Sequence, residues 1–324
     1  MVVLSACGAK SQEAVTKDLE AKIEKMKSYK VGAKMSIKVG EEPQIYLIDI
    51  WHRKPEEYKV QLKNEKKDQS QIILRNKKGV FVLTPALNKS YRFQNEWPKQ
   101  TSQAYLYESL VKDIVEDAEA EFEVTDKHYV FKTKTRYPNN AILPRQEVKF
   151  RKDTLEPVSV SVFDTDQEPL VHVEFERMEF DAKFDDDSFE TKKSMTSAQI
   201  EVPVLAQNDE RTFQAKYVPE HVIDATLIDE MKVENDEGMR ILLTYGGDSS
   251  FTFIQEQFDV VPSANMLEMK VNGKMVDLGF TIGVLTDNSL SWFDQGVEYT
   301  LISDELNAGE LQEIAQSVQS FSEK

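Results

Sequence analysis

The chain has 324 residues, of which 40% are hydrophobic and 30% charged, and it carries a net charge of −17. That length suits two domains at roughly 150 residues each. An acidic surface repels phosphate backbones and excludes nucleic acid as a partner, and no run of about 18 apolar residues is present to cross a bilayer.

The charge is unevenly placed. From Pro203 onward seven Lys and Arg face 22 Asp and Glu, against 33 and 35 before it. A composition shift of that size predicts a boundary near residue 200.

The first segment, residues 1–13, reads Leu4-Ser5-Ala6-Cys7-Gly8 and continues as a polar stretch. It resembles the lipobox of bacterial lipoproteins. The resemblance implies export behind a basic and apolar leader encoded upstream of Met1, cleavage before Cys7, and a diacylglyceryl group on its thiol. Two acyl chains, at about 0.8 kcal/mol per buried methylene, make a durable anchor. Residues 8–13 then serve as a flexible tether. As the chain has one cysteine, an internal disulfide and a multi-cysteine metal site are excluded. No basic cluster stands beside Cys7 to activate it as a nucleophile.

Residues 14–193 form the expected first domain. Val15, Leu19, Ile23 and Met26 recur at helical spacing over 14–27. The period then changes to two. Residues 29–39, 58–63 and 158–162 alternate cleanly, and further strands are expected at 44–51, 71–75, 80–84, 90–94, 122–125, 129–134, 146–151 and 170–176. One helix interrupts the series at 102–117, with Tyr105, Leu106, Leu110, Val111, Ile114 and Val115 on a broad apolar face. The expected fold is mainly β (α+β): a strongly curved antiparallel half-barrel with the two helices lying across its open side.

The stretch Ile50-Trp51-His52-Arg53-Lys54-Pro55-Glu56-Glu57-Tyr58-Lys59-Val60 resembles the hairpin of the LolA-like lipoprotein-carrier fold, and residues 146–152 and 179–189 fit its closing strands. The resemblance implies an unclosed barrel around an apolar cavity. Strand parity nominates Trp51, Tyr58, Val60, Leu62, Ile72, Leu74, Phe81, Leu83, Tyr91, Phe93, Phe131, Val148 and Phe150 for its lining. Two readings stay open for these thirteen: a lipid-binding cavity or a solid core packed against the helices.

Residues 192–203, rich in Lys, Ser, Thr, Gln and Ala, read as a link to a smaller acidic α+β domain at 203–324. A short helix is expected at 219–224. Hairpin signals follow at Asn235-Asp236-Glu237-Gly238, at Gly246-Gly247 and at Asn272-Gly273. Residues 290–303 form a strand pair, and a helix with Asp304 as N-cap and an apolar face of Leu306, Leu311, Ile314, Ala315 and Val318 ends the pattern. This last segment resembles a C-terminal domain of unknown function found in envelope and sporulation proteins of Bacillus-type bacteria. In combination, the lipobox, the LolA-like domain and this segment resemble the YdcC-type sporulation lipoproteins, related to germination lipoproteins.

Chemistry-bearing motifs are sparse. His52, His128, His172 and His221 each sit alone in sequence, and none of the spacings of metalloproteases, hydrolase elbows or phosphate loops occurs. Asp185-Asp186-Asp187 lacks the ligand spacing of a calcium loop. No catalytic residue, metal site or cofactor is expected. The leading expectation is a non-enzymatic binding or scaffold protein in the cell or spore envelope, with a protein partner or second copy. A carrier of lipid or lipoprotein acyl chains and a stress sensor acting on an anti-sigma factor are the alternatives.

Overall fold

The structure, a computed structural model, describes residues 10–38, 43–65, 70–93, 103–137, 143–201, 213–220, 222–235, 238–258, 266–278, 281–294 and 296–320. Cys7, His221 and Pro203 lie outside the described residues.

In chain order the elements are α1 (Gln12–Lys25), β1 (Ser28–Lys38), β2 (Pro43–Arg53), β3 (Glu57–Asn64), β4 (Ser70–Asn76), β5 (Gly79–Thr84) and β6 (Lys89–Phe93). Then come α2 (Tyr107–Glu116), β7 (Glu121–Val124), β8 (His128–Lys134), β9 (Arg145–Arg151), β10 (Pro157–Phe163), β11 (Pro169–Phe175), β12 (Glu179–Phe180) and α3 (Thr191–Glu201). The remainder is β13 (Ala225–Asn235), β14 (Gly238–Gly247), β15 (Phe251–Phe258), β16 (Leu267–Val271), β17 (Lys274–Asp277), β18 (Ile282–Leu285), β19 (Ser289–Asp294), β20 (Val297–Ile302) and α4 (Ala308–Ser320). The chain is mainly β with open sheets, as the alternation predicts.

Two compact units cut across the division expected near residue 200. The first holds residues 1–36, 48–54 and 98–183; the second holds 37–47, 55–97 and 184–324.

In the first unit the strands run in the order β2-β1-β11-β10-β9-β8-β7, with β12 beside β1. Ser11 caps α1, its hydroxyl accepting from the Ala14 N–H at 3.3 Å, and Val15 and Leu19 are fully buried. The helix expected from residue 102 begins only at Tyr107. Five residues of its expected apolar face are buried, but Val115 is 43% exposed, one position past the buried stripe. Asp113 fixes α2 to the sheet: its carboxylate pairs with Arg136 and accepts from Gln146 Nε2 at 2.6 Å. A buried carboxylate needs such partners, because removing one leaves a charge stranded.

In the second unit one sheet runs β16-β6-β5-β4-β3, and a seven-stranded sheet runs β13-β14-β15-β20-β19-β18-β17. Phe253, Trp292 and Tyr299 stack with centroids 5.3 to 5.9 Å apart, each such pair adding about 0.5–1.5 kcal/mol beyond area burial. Leu311, Ile314, Ala315 and Val318 bury one face of α4, which packs on β19.

Four expectations are corrected here. The supposed link at 192–203 is helical from Thr191 to Glu201, because Ser194, Met195 and Ala198 form a narrow buried strip against β4 and β5. The described residues of 219–224 form no helix, and the Val222 N–H donates to Pro219 O. The C-terminal helix starts at Ala308 rather than Asp304. Asn307 Oδ1 receives the N–H groups of Gly309 and Glu310, and Glu310 Oε2 receives that of Asn307 at 2.8 Å, a reciprocal capping box. Finally, Asn272-Gly273 does not close a hairpin. β16 pairs with β6 and β17 pairs with β18, so this turn passes the chain from one sheet to the other. Glycine is needed at 273 for room: a Cβ there would lie 2.3 Å from Leu285 O.

Candidate functional site

The thirteen residues nominated for a cavity do not share one face. Cross-strand partners lie on the same side of a sheet. Tyr58 pairs with Arg75, Val60 with Ile73 and Leu62 with Gln71, while Ile72 and Leu74 pair with Gln61 and Lys59. Following the register through β5 and β6 puts Tyr58, Val60, Leu62, Tyr91 and Phe93 on one face, and Ile72, Leu74, Phe81 and Leu83 on the other. Parity failed because β4 buries both faces, so Ile72, Ile73 and Leu74 are all enclosed and the strand carries no alternation. In the first unit Phe131 pairs with Val148, and Phe150 follows two residues on, so these three do share a face and are fully buried. Trp51 is half-buried and covered by Lys30 Nζ at 4.8 Å, with its Nε1 donating to Asp49 at 2.7 Å.

The histidines are also distributed in a way the sequence did not indicate. His52 is 2% exposed, with Nε2 3.1 Å from Glu108 Oε1. Tyr29 donates to the other oxygen of Glu108 at 2.8 Å. This cluster couples β1, β2 and α2 within the first unit. His172 lies 2.9 Å from Ser161 Oγ and 3.5 Å from Glu174. That row is a cross-strand pair with its next neighbour on a wet sheet face, where the amides belong to the ladder.

Two places in the second unit present chemistry to solvent. The first is a cleft of about 660 Å³ at the hairpin end of β4 and β5, flanked by Glu56, Glu57, Arg92, Phe93 and Lys270. Of the thirteen nominated residues, Phe93 is the one that lines it. Its floor is organised by the hairpin. Asn76 Oδ1 accepts from Lys78 N–H at 2.8 Å, Asn76 Nδ2 donates to Phe189 O at 2.8 Å, and Arg92 Nη2 donates to Lys78 O at 2.7 Å. Gly79 takes a φ of +139°, which permits the tight reversal after Lys77 and Lys78. Arg75 pairs with Glu56 through Nη2, while its Nη1 is buried with no acceptor. A donor left in that state costs about 1–3 kcal/mol.

The second place is β13, the last strand of its sheet among the described residues. A bulge between Leu227 and Asp229 shifts the register. Beyond it, Glu230 and Lys232 stand opposite the buried Leu243 and Ile241 and pair with each other at 3.0 Å, while Met231 and Val233 take the other face opposite Leu242 and Arg240. Ile228 is 66% and Met231 51% exposed.

The chain can be set beside known proteins. Residues 1–189 match the family described as sporulation protein YdcC-like. Over 324 residues the chain is 47% identical to Sporulation protein YdcC of Bacillus subtilis (strain 168), covering all of this chain and 95% of that one. Among solved structures, the MucA/MucB complex of Pseudomonas aeruginosa aligns at 15% identity over 94% of this chain and 98% of that one, with a TM-score of 0.34. The LolA superfamily protein NE2245 from Nitrosomonas europaea aligns at 10% identity over 57% of this chain and all of that one, with a TM-score of 0.32. Both structural likenesses are weak.

Proposed function

The chain belongs to the sporulation protein YdcC-like family, and on that premise we propose that it is a lipid-anchored extracytoplasmic protein that works in spore formation by binding another envelope protein rather than by catalysis. Cys7 is the anchor in this reading, and β13 is the docking edge. The observation that carries the reading is β13 itself: an 11-residue strand with no strand paired to its outer edge among the described residues. An open edge offers backbone N–H and C=O groups to an extended partner segment. Ile228, Met231 and Val233 add apolar contact on top of that ladder, while the two charges at 230 and 232 are already paired with each other.

The partner is an extended segment of a second protein that adds as a further strand. The test places a photo-crosslinking residue at Met231 or, as a control, at Lys132 in sporulating cells. A discrete heterologous adduct from position 231 alone is expected. Wild-type spore yield from a Met231→Asp, Val233→Asp double variant at normal abundance would sink the docking role. An adduct with a second copy of the chain would replace the partner by a homodimer. For the anchor, Cys7→Ser is expected to move the protein from the membrane fraction to the soluble fraction of the envelope, and retention at the membrane would exclude the tether.

A further inference from the structure

Two rows of exposed apolar side chains in the second unit belong to one surface. Lys89 and Tyr91 of β6 reach Glu298 of β20, so both face the seven-stranded sheet. β16 pairs Leu267 with Lys89 and Met269 with Tyr91, which turns these two apolar residues to the same side. In the seven-stranded sheet the register carries Glu298 through Glu256 and Arg240 to Val233, and Thr300 through Ile254 and Leu242 to Met231. The face of Met231 and Val233 is therefore the one turned towards Tyr91 and Met269. Ile228, the extra residue of the bulge, leans over Gly246 on that face, where an added Cβ would meet it at 3.1 Å. Among the described residues eleven large apolar side chains are exposed, and six of them stand on these two facing surfaces: Ile228, Met231, Val233, Leu267, Met269 and Ile302. Single exposed apolar residues are ordinary, whereas a set gathered on one surface marks an interaction site.

The layering gives that surface a shape. β6 lies on β20 through Lys89 and Tyr91, and β4 lies on β18 through Gln71 and Ile282. One strand, β16, follows β6, whereas β15, β14 and β13 follow β20. β14 and β13 thus run on past β16 as a ledge. Two strands at about 4.8 Å each, beneath sheets stacked about 10 Å apart, make a step that fits an α-helix about 10–12 Å across.

Its charge narrows the occupant. Ala225 pairs with Gly247, Tyr245 with Phe251 and Thr252 with Ile302, so residues 222–229, 246–252 and 302–306 meet at one end of the ledge. They hold Asp224, Asp229, Asp248, Asp304 and Glu305 and no Lys or Arg. Arg240 and Glu256 cancel each other nearer the other end. Such a rim repels an anionic lipid surface and a second copy of itself, and it attracts a basic segment.

We propose that the segment docked at β13 continues as a basic amphipathic helix lying in this step. Its apolar stripe covers Met231, Leu242, Leu267 and Met269, and its Lys or Arg residues face Asp229 and Asp248. Resting on the docking proposed above, this helix covers what an added strand leaves bare, because pairing at the outer edge of β13 is too far from β16 to enclose Leu267 and Met269.

The test places a photo-crosslinking residue at Met231 or at Met269 of the full chain in sporulating cells and sequences the crosslinked peptides by mass spectrometry. One partner is expected from both positions, with the peptide caught at 269 carrying apolar residues three and four apart and Lys or Arg between them. Asp229→Lys with Asp248→Lys should lower the 269 adduct at least tenfold at normal abundance. Glu20→Lys with Glu24→Lys on α1, the same change of charge, should alter it less than twofold. An adduct at 231 without one at 269 sinks the helix and leaves the docked strand standing, and no adduct at either position overturns both. A peptide of this same chain or an acidic peptide at 269, or equal weakening by the two charge pairs, overturns the helix as well.

Discussion

The sheet that contains β6 and the sheet that contains β13 both come to an end in the second unit, and the two ends are built in opposite ways. β6 is closed by β16, which pairs in parallel from Lys89 with Leu267 to Phe93 with Val271. The closure is reinforced by polar clamps. Glu298 of β20 accepts from Lys89 at 2.7 Å and from Tyr91 at 2.5 Å, and Gln71 of β4 exchanges two hydrogen bonds with the backbone of Ile282. The new terminal strand, β16, is only five residues long and alternates Glu268 and Lys270 with its apolar residues. β13 is twice that length and exposes Ile228 and Met231. Shortness and charge are how sheets discourage unwanted pairing. One edge is therefore used up internally, and the other is left available.

Four measurements break or sharpen this contrast. The largest effect is expected from Glu298→Ala, which removes the carboxylate that Lys89 and Tyr91 share in a mostly enclosed setting. Stability measured by urea unfolding should fall by about 3 kcal/mol. Gln71→Ala removes both bonds to Ile282 and should cost about 1–2 kcal/mol in the same assay. A cost below a few tenths of a kcal/mol for both would mean that the two sheets are not held through these clamps.

The third measurement is alkaline. Burial raises the ionisation of the Tyr91 hydroxyl above its ordinary value of 10.0, and the charge of Glu298 and the hydrogen bond to it add to the shift. The unfolded phenol then ionises first. The stabilisation is complete below pH 10 and declines as pH climbs past it. Tyr91→Phe should make the urea midpoint less sensitive to pH in that range. Some slope should remain, because Tyr107 and Tyr299 are raised chiefly by burial as well. The smallest stability effect belongs to the bare edge: Met231→Asp with Val233→Asp should change stability by no more than about 0.5 kcal/mol. A loss of several kcal/mol would show that β13 is packed rather than free.

Much of the fold could be read from residues. β1 and β9 alternate buried with wetter positions, and a period of two is visible where one face is wet. Where both faces are buried, as in β4, the period vanished and the facing of Ile72 and Leu74 was lost with it. α3 was missed because its buried strip is made of a serine, a methionine and an alanine, which resemble linker composition. Asp304 and Asn307 are both good caps, and the capping box formed by Glu310 favours the later one. Pairing of β16 with β6 had no local signal, since the strands are parallel and far apart in sequence. The cleft was hidden for a similar reason. Arg75 falls at the end of one expected strand and Lys77 and Lys78 in the gap before the next, and the sequence gives no sign that the fold brings Lys270 beside them.

The parallel pairing of β6 with β16 also sets an order of events during synthesis. Residues 89–93 leave the ribosome long before residues 267–271 exist, and no other strand among the described residues pairs with that side of β6. At about 5–20 residues per second, the intervening stretch keeps the strand waiting for roughly ten to forty seconds. The front half of the chain therefore passes through a period as an unfinished sheet. A fragment cut before residue 267 would remain in that state, prone to capture by its own copies, and would be expected to aggregate where the whole chain does not.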